Sequence, residues 1–170
     1  MFREMRRKKQ LLPQEDAIAI LEKGTSGVLA VIGDDDYPYA VPISYLYHNF
    51  KIYFHGAKAG HKLDGIMKNN KVSFCVIDQD QIVPQKYTTY FRSVIVFGKA
   101  KIMTDEEEIR NAIDILAIKY SPEETDDSRK KAIEWDFKQL CMVEISIDHI
   151  TGKEAIELVK KKNEICNNYT

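Results

Sequence analysis

Six short apolar runs, separated by polar turns, constrain this 170-residue chain more than any other feature. SGVLAVI (26–32), YAVPISYLYH (39–48), KIYFHG (51–56), KVSFCVID (71–78), TYFRSVIVFGKAKIM (89–103) and LCMVEISID (140–148) are rich in the β-branched and aromatic residues that suit strands. GDDDYP and HNF join the first three at hairpin distance, so residues 26–56 read as a meander. No β-α-β alternation recurs at regular spacing, which favours an antiparallel sheet that closes or nearly closes over a parallel one. The expected class is mainly β with flanking helices. Pro42 falls inside the second run and cannot donate to a ladder, so that strand belongs at an edge or a bulge, and Gly98 marks a bend in the fifth.

The helical segments are fewer. LPQEDAIAILEKG (12–24) has Pro13 near its start and Gly24 as a stop, and HKLDGIMKNN (61–70) makes a turn or two. A T-x-x-E box at Thr104 and Glu107 opens a helix whose Ile109, Ala112, Ile113, Leu116, Ala117 and Tyr120 share one face. KKAIEWDF (130–137) is a further helical piece, and QDQIVPQKY (79–87) reads as a polar connector.

An apolar content of 44% over 170 residues fits one domain, expected over 1–170 with a basic arm at 1–10 and a Lys-rich tail at 153–170. The formal net charge of −1 gives no global field toward nucleic acid or a membrane surface, and neither is an expected partner. Arg3, Arg6, Arg7, Lys8 and Lys9 are the local exception, read either as an arm on phosphates or as a solvated tail or clasp. No stretch approaches the ~18 apolar residues of a membrane span and no signal-peptide core follows the N-terminus, so a cytoplasmic location is expected. Cys75, Cys141 and Cys166 form no C-x-x-C pair and imply neither a disulfide framework nor a zinc knuckle.

YFHGAKAGHKLDG (53–65) sets two histidines and two lysines among three glycines where a helix begins. Cations there oppose the helix macrodipole, which raises the question of a bound anion. Gly56 and Gly60 would let backbone approach a ligand, the helix start at His61 offers free N–H groups, and Lys58 and Lys62 supply charge. A solvated lysine loop would carry the same residues. Arg92 is either a second anion contact or a surface ion pair. A metal would have to use His48, His55, His61 and His149 with Asp64 or Cys75, but no ligand spacing of a known kind is present, and none is expected. No nucleophile elbow surrounds Ser44 or Ser93, and the aromatic strands lack the basic residues of a nucleic-acid platform. With no evident acid, base or nucleophile, the reactivity points to a cofactor.

YPYAVPISYLY, IYFHGAKAGHKLDGI and TTYFRSVIVFGKAKI, in that order and spacing, resemble the flavin-binding split-barrel family related to pyridoxamine 5′-phosphate oxidase, specifically its Nim-type (5-nitroimidazole resistance) branch. The likeness spans roughly residues 4–152. It implies an antiparallel, Greek-key-like split β-barrel that binds FMN and forms a homodimer with flavin in the clefts between subunits. By that resemblance Val41, Pro42, Ile43 and Ser44 lie along the flavin ring, while Phe54 and His55, with Gly56 and Ala57 after them, stand at the strand end beside it. His61 and Lys62 match the phosphate-binding positions, and Arg92 and Ser93 the strand near the dimer interface. His55 is the tentative catalytic residue. The chain lacks the oxidase's Arg-Lys pair and its C-terminal substrate segment, so pyridoxamine phosphate oxidation is not expected. The implied activity is electron transfer from a reduced carrier, a nicotinamide being one option, to a small electron-poor acceptor. The alternative is a flavin- or haem-binding protein that stores or senses its cofactor without turnover.

Overall fold

In the computed structural model, which describes residues 1–167, all seven strands join one antiparallel sheet in the order β2-β1-β5-β6-β7-β4-β3. They are β1 (Ser26–Ile32), β2 (Pro38–Ser44), β3 (Leu46–His48), β4 (Lys51–Ala57), β5 (Lys71–Val83), β6 (Thr88–Ile102) and β7 (Leu140–Glu154). Five α-helices flank them: α1 (Gln14–Lys23), α2 (His61–Lys68), α3 (Glu106–Tyr120), α4 (Asp126–Asp136) and α5 (Ile156–Asn167). None of these helices is long and apolar enough to cross a membrane.

The expected meander breaks at one residue. The run 39–48 is two strands, and the structure puts them at opposite edges of the sheet although only Tyr45 separates them. One residue spans at most a few ångströms, whereas seven flat strands at about 4.8 Å spacing would span nearly 30 Å. The sheet therefore curls until its edges meet at Tyr45, but β2 and β3 do not pair and the ladder stays open rather than closing into a barrel. A helix side chain satisfies the backbone at this gap. The Tyr45 N–H donates to the Tyr120 hydroxyl at 2.8 Å, and that hydroxyl can in turn donate to the carbonyl of Tyr45, at 2.9 Å, or of Thr25. The Tyr45 ring is wholly buried and its hydroxyl donates to the Leu21 carbonyl at 2.8 Å.

Alternation along the strands divides the apolar side chains between two layers. Inside the curl, Leu29, Ile52, Phe54, Phe74, Val94, Val96 and Ile145 pack with Leu21 of α1. On the outer face, Leu46, Met103 and Met142 pack under Ala112, Ile113 and Leu116 of α3. Proline fits β2 because it is an edge strand, where Pro42 lies opposite Val28. Gly98 follows a bulge between Phe97 and Gly98, and a Cβ there would stand 2.4 Å from the Ser146 carbonyl oxygen, so β7 passes too close for any side chain.

Several boundaries differ from the sequence reading. Residues 79–83, expected in a connector, extend β5 into a two-stranded ribbon with the start of β6. The cap of α3 is Asp105, whose carboxylate accepts the Glu108 N–H at 2.9 Å, one residue beyond the expected Thr104 box. β7 runs to Glu154, and residues 156–167 of the expected Lys-rich tail form α5, with 168–170 lying outside the described residues.

Candidate functional site

β4 delivers its last residues to the point where α2 begins. Residues Ile52 and Phe54 face the inner core, so Tyr53 and His55 face the α3 layer, and the partner of His55 across the ladder is Met142 of that layer. Phe54 is wholly buried, so it packs in the core behind this strand end and presents no surface of its own. The chain then turns through Gly60, whose φ of 137° favours glycine, and α2 starts with the Leu63 and Asp64 N–H groups donating to the Gly60 carbonyl at 2.8 and 3.1 Å. Lys62 leans back over β4: its Cε and Nζ lie 3.3 Å from where a Cβ on Gly56 would be. The turn thus brings together Gly56, Ala57, Lys58 and Lys62.

The lysines at this turn have no counter-ion, a state they share with most lysines among the described residues. Lys51, Lys68 and Lys162 each meet a carboxylate, whereas neither Lys58 nor Lys62 forms an ion pair among the described residues. His61 is differently placed from the sequence expectation of a phosphate contact. Its ring stacks on Tyr39 at 4.1 Å, accepts from the Asp34 N–H at 3.3 Å and lies 3.7 Å from the Asp34 carboxylate, so its side chain is tied to the β1–β2 hairpin.

His55 forms the wall between two depressions that also share Asp136 and Leu140. One, of about 500 Å³, continues along Gly56, Ala57 and Lys58 to Lys138. The other, of about 310 Å³, runs between α3 and α4. Partial desolvation holds the His55 imidazole below its usual pKa; the Asp136 carboxylate opposes this and the Lys62 ammonium adds to it. The ring is therefore neutral near pH 7, with one nitrogen free to accept and the other to donate. Asp136 and Leu140 had no signal in the sequence reading, because nothing local ties the end of α4 or the start of β7 to β4.

The remaining residues divide into two sets. Along β2, Tyr39, Val41 and Ile43 pack against the inner core while Ala40, Pro42 and Ser44 face out. This edge begins beside His61 and runs to the Tyr45 corner, so the outer side of residues 41–44 continues from the turn as an exposed backbone track. Arg92 and Ser93 lie elsewhere in the chain. Arg92 is level with Glu154 and Ala57 with Leu140, the two ends of the 15-residue β7, about 45 Å apart along that strand at ~3.3 Å per residue. Arg92 also has its own partners, Asp78 at 3.2 Å and Glu154 at 3.3 Å.

No three His, Cys, Asp or Glu side chains converge to hold a metal ion among the described residues. Burial raises the pKa of the Cys75 and Cys141 thiols, only partly offset at Cys141 by Lys58 and Lys62, so neither is an activated nucleophile.

The family model described as pyridoxamine 5′-phosphate oxidase matches residues 13–154, and the chain belongs to that family. A candidate 5-nitroimidazole antibiotic resistance protein from Bacteroides thetaiotaomicron superposes with a TM-score of 0.70 at 22% identity, covering 85% of this chain and 86% of that one. A FAD-binding protein from Mesorhizobium loti gives 0.64 at 22% identity, covering 86% and 97%. A conserved hypothetical protein from Mycobacterium tuberculosis gives 0.77 at 18%, covering 89% and 90%. At these identities the likeness establishes the fold. A search of curated proteins finds no match.

Proposed function

We propose that this chain is a flavin-dependent oxidoreductase that holds FMN along the β2 edge and the 56–62 turn, and passes electrons from a reduced carrier to a small electron-poor acceptor. The observation that carries the reading is the unpaired pair Lys58 and Lys62 at a helix start, on a turn that continues into an exposed, proline-bearing strand edge. The residues fit the cofactor's chemistry. A phosphate dianion would supply the counter-ion that both lysines lack, and the leading N–H groups of α2 would add donors of the right sign. The outward backbone of residues 41–44 would lie along the ring, and Phe54 would close the core behind it.

When bound, the flavin supplies the redox chemistry, since it accepts and returns electrons without a dedicated side chain. The protein orients the ring, excludes water from one side and sets its polarity. His55 holds a neutral imidazole where the turn meets the α3 layer, able to donate to or accept from an acceptor at that edge.

In this reading the working unit is a homodimer. Ile95 and Phe97 leave apolar side chains exposed on β6, at 40% and 39%, and the β5–β6 ribbon ends in the exposed Ile82 and Tyr87. A second copy would cover this surface. It would also bring its own Arg92 and Ser93 end toward the 56–62 turn, which one chain keeps apart.

The test is a visible spectrum of the purified protein with the released chromophore identified, followed by NADH or NADPH oxidation with a nitroaromatic acceptor, and light scattering on the same sample. Released FMN, acceptor-dependent turnover and a dimer are expected. Bound flavin without turnover would favour a storage or sensing role, and a monomer at micromolar concentration would remove the shared cleft.

A further inference from the structure

The depression between α3 and α4 is not used by the cofactor reading, and its construction is specific. Its floor is apolar, formed by Ile113, Leu116, Ile133 and Leu140. Its volume of about 310 Å³ falls at the lower end of the ~300–1,000 Å³ typical of small-molecule sites. His55 closes one end. At the other, Glu124 accepts from the Ser128 hydroxyl at 2.9 Å.

The charge around this floor is one-sided. Among the described residues Arg129 is the sole cation lining the groove, and it is consumed by Asp114 at 2.8 Å and Asp126 at 2.9 Å. Glu124 and Asp136 meet no cation among the described residues, so the lining is net negative. This is the reverse of the neighbouring depression, where Lys58 and Lys138 stand on the far side of the same His55 wall.

We propose that this groove is a binding site for a small arylalkylamine, its ring laid on Ile113, Leu116, Ile133 and Leu140 and its ammonium directed to Glu124. The apolar floor selects a flat hydrocarbon surface, and the unbalanced carboxylates select a cation and reject an anion. α4 forms one side of the groove and contributes no fully buried residue. Exposed side chains of α4 such as Ala132 can therefore be changed without cutting into the core, although Ile133 packs against it. Binding here shares only His55 with the flavin reading, since neither Lys58 nor the β2 edge takes part.

The experiment is a chemical-shift titration of the full chain as purified, with phenethylamine, its isostere 2-phenylethanol and the similarly sized phenylacetate as probes of charge +1, 0 and −1. Shifts confined to residues 113–117, 124–136 and 140 are expected. Phenethylamine should bind roughly three- to fivefold more tightly than the alcohol, the reach of one solvent-exposed ion pair, with phenylacetate weakest. Ala132→Phe, on the exposed side of the groove, should fill it and abolish binding of all three probes while leaving the thermal midpoint close to that of the parent. Glu124→Gln should bring the amine down to the alcohol's affinity. Equal affinities for the three probes, shifts centred elsewhere, or undiminished binding by a folded Ala132→Phe protein would each overturn the proposal.

Discussion

Lys62 and Arg92 carry the same formal charge, and both are nominated by sequence as contacts for an anion, yet the fold treats them oppositely. Arg92 sits between Asp78 and Glu154, and Glu154, only 3% exposed, also meets Lys162 at 3.1 Å. Lys62 lies over a glycine and meets no carboxylate among the described residues. A cation enclosed by carboxylates is part of the scaffold, because its removal strands a buried charge. A cation left without one is available to a ligand. The residue type is the same kind of evidence in both places, and the partners decide which role it has.

The sharpest way to break this contrast is at Arg92. Replacing it with Ala leaves Asp78 without a cation among the described residues and Glu154 with Lys162 alone, and a cost of about 3 kcal/mol is expected, the lower end for breaking a buried pair. For a chain of this size that corresponds to a fall of roughly 6–12 °C in thermal midpoint. The FMN affinity per folded chain should change much less than stability does. A variant with unchanged melting and impaired flavin binding would mean that Arg92 serves the ligand after all, as it would when supplied to a partner subunit's cleft.

Lys62 should give the complementary result. Lys62→Ala leaves the melting temperature nearly unaltered, since no ion pair is lost. It removes one charge-assisted contact to phosphate, an effect of about 1.5–3 kcal/mol, or roughly ten- to hundredfold in FMN affinity by isothermal or fluorescence titration. Riboflavin has the same ring without phosphate and should bind the parent and the variant alike. Equal losses for both ligands would show that the turn itself had changed.

These two residues also mark how far the sequence could be read. The central stretches of the strands, the bend at Gly98, the edge placement of Pro42 and the face of α3 follow from local pattern, and the structure agrees, while several strand ends differ. The break at Tyr45 does not follow from local pattern, because the hydroxyl that replaces its missing ladder partners comes from Tyr120, 75 residues away. Likewise, the sequence offers both readings of Arg92, and only the register that sets it beside Glu154 selects the ion pair. At the turn, the glycines and lysines were legible, whereas the tie of His61 to Asp34 and the arrival of Asp136 beside His55 depend on tertiary contacts. Period-two alternation could have assigned His55 to the α3 face, since Tyr53 shares it. The helix in the tail was masked by its lysines, although AIELV (155–159) holds four apolar residues.

The smallest effect concerns His55, where the two depressions meet. Its pKa is lowered in the folded protein, chiefly by desolvation, so the native state binds a proton there less readily than the unfolded chain. Between the lowered value and the ordinary value near 6.5 the unfolded chain holds more protons, and stability rises with pH across that window. Above it both states are neutral and the contribution is flat. Acidification from pH 7.5 should therefore destabilise the parent slightly more than His55→Gln, which cannot titrate, and the two stability curves should separate only below about pH 6.5. Urea unfolding of both proteins at a series of pH values between 5 and 8 isolates this difference from the carboxylates, which titrate lower and are common to both. The reverse separation, with the parent gaining on His55→Gln as pH falls, would mean that Asp136 outweighs desolvation and that the imidazole is cationic in the folded protein. His55 would then belong electrically to the acidic groove, and the neutral donor and acceptor assigned to the cofactor edge would be lost.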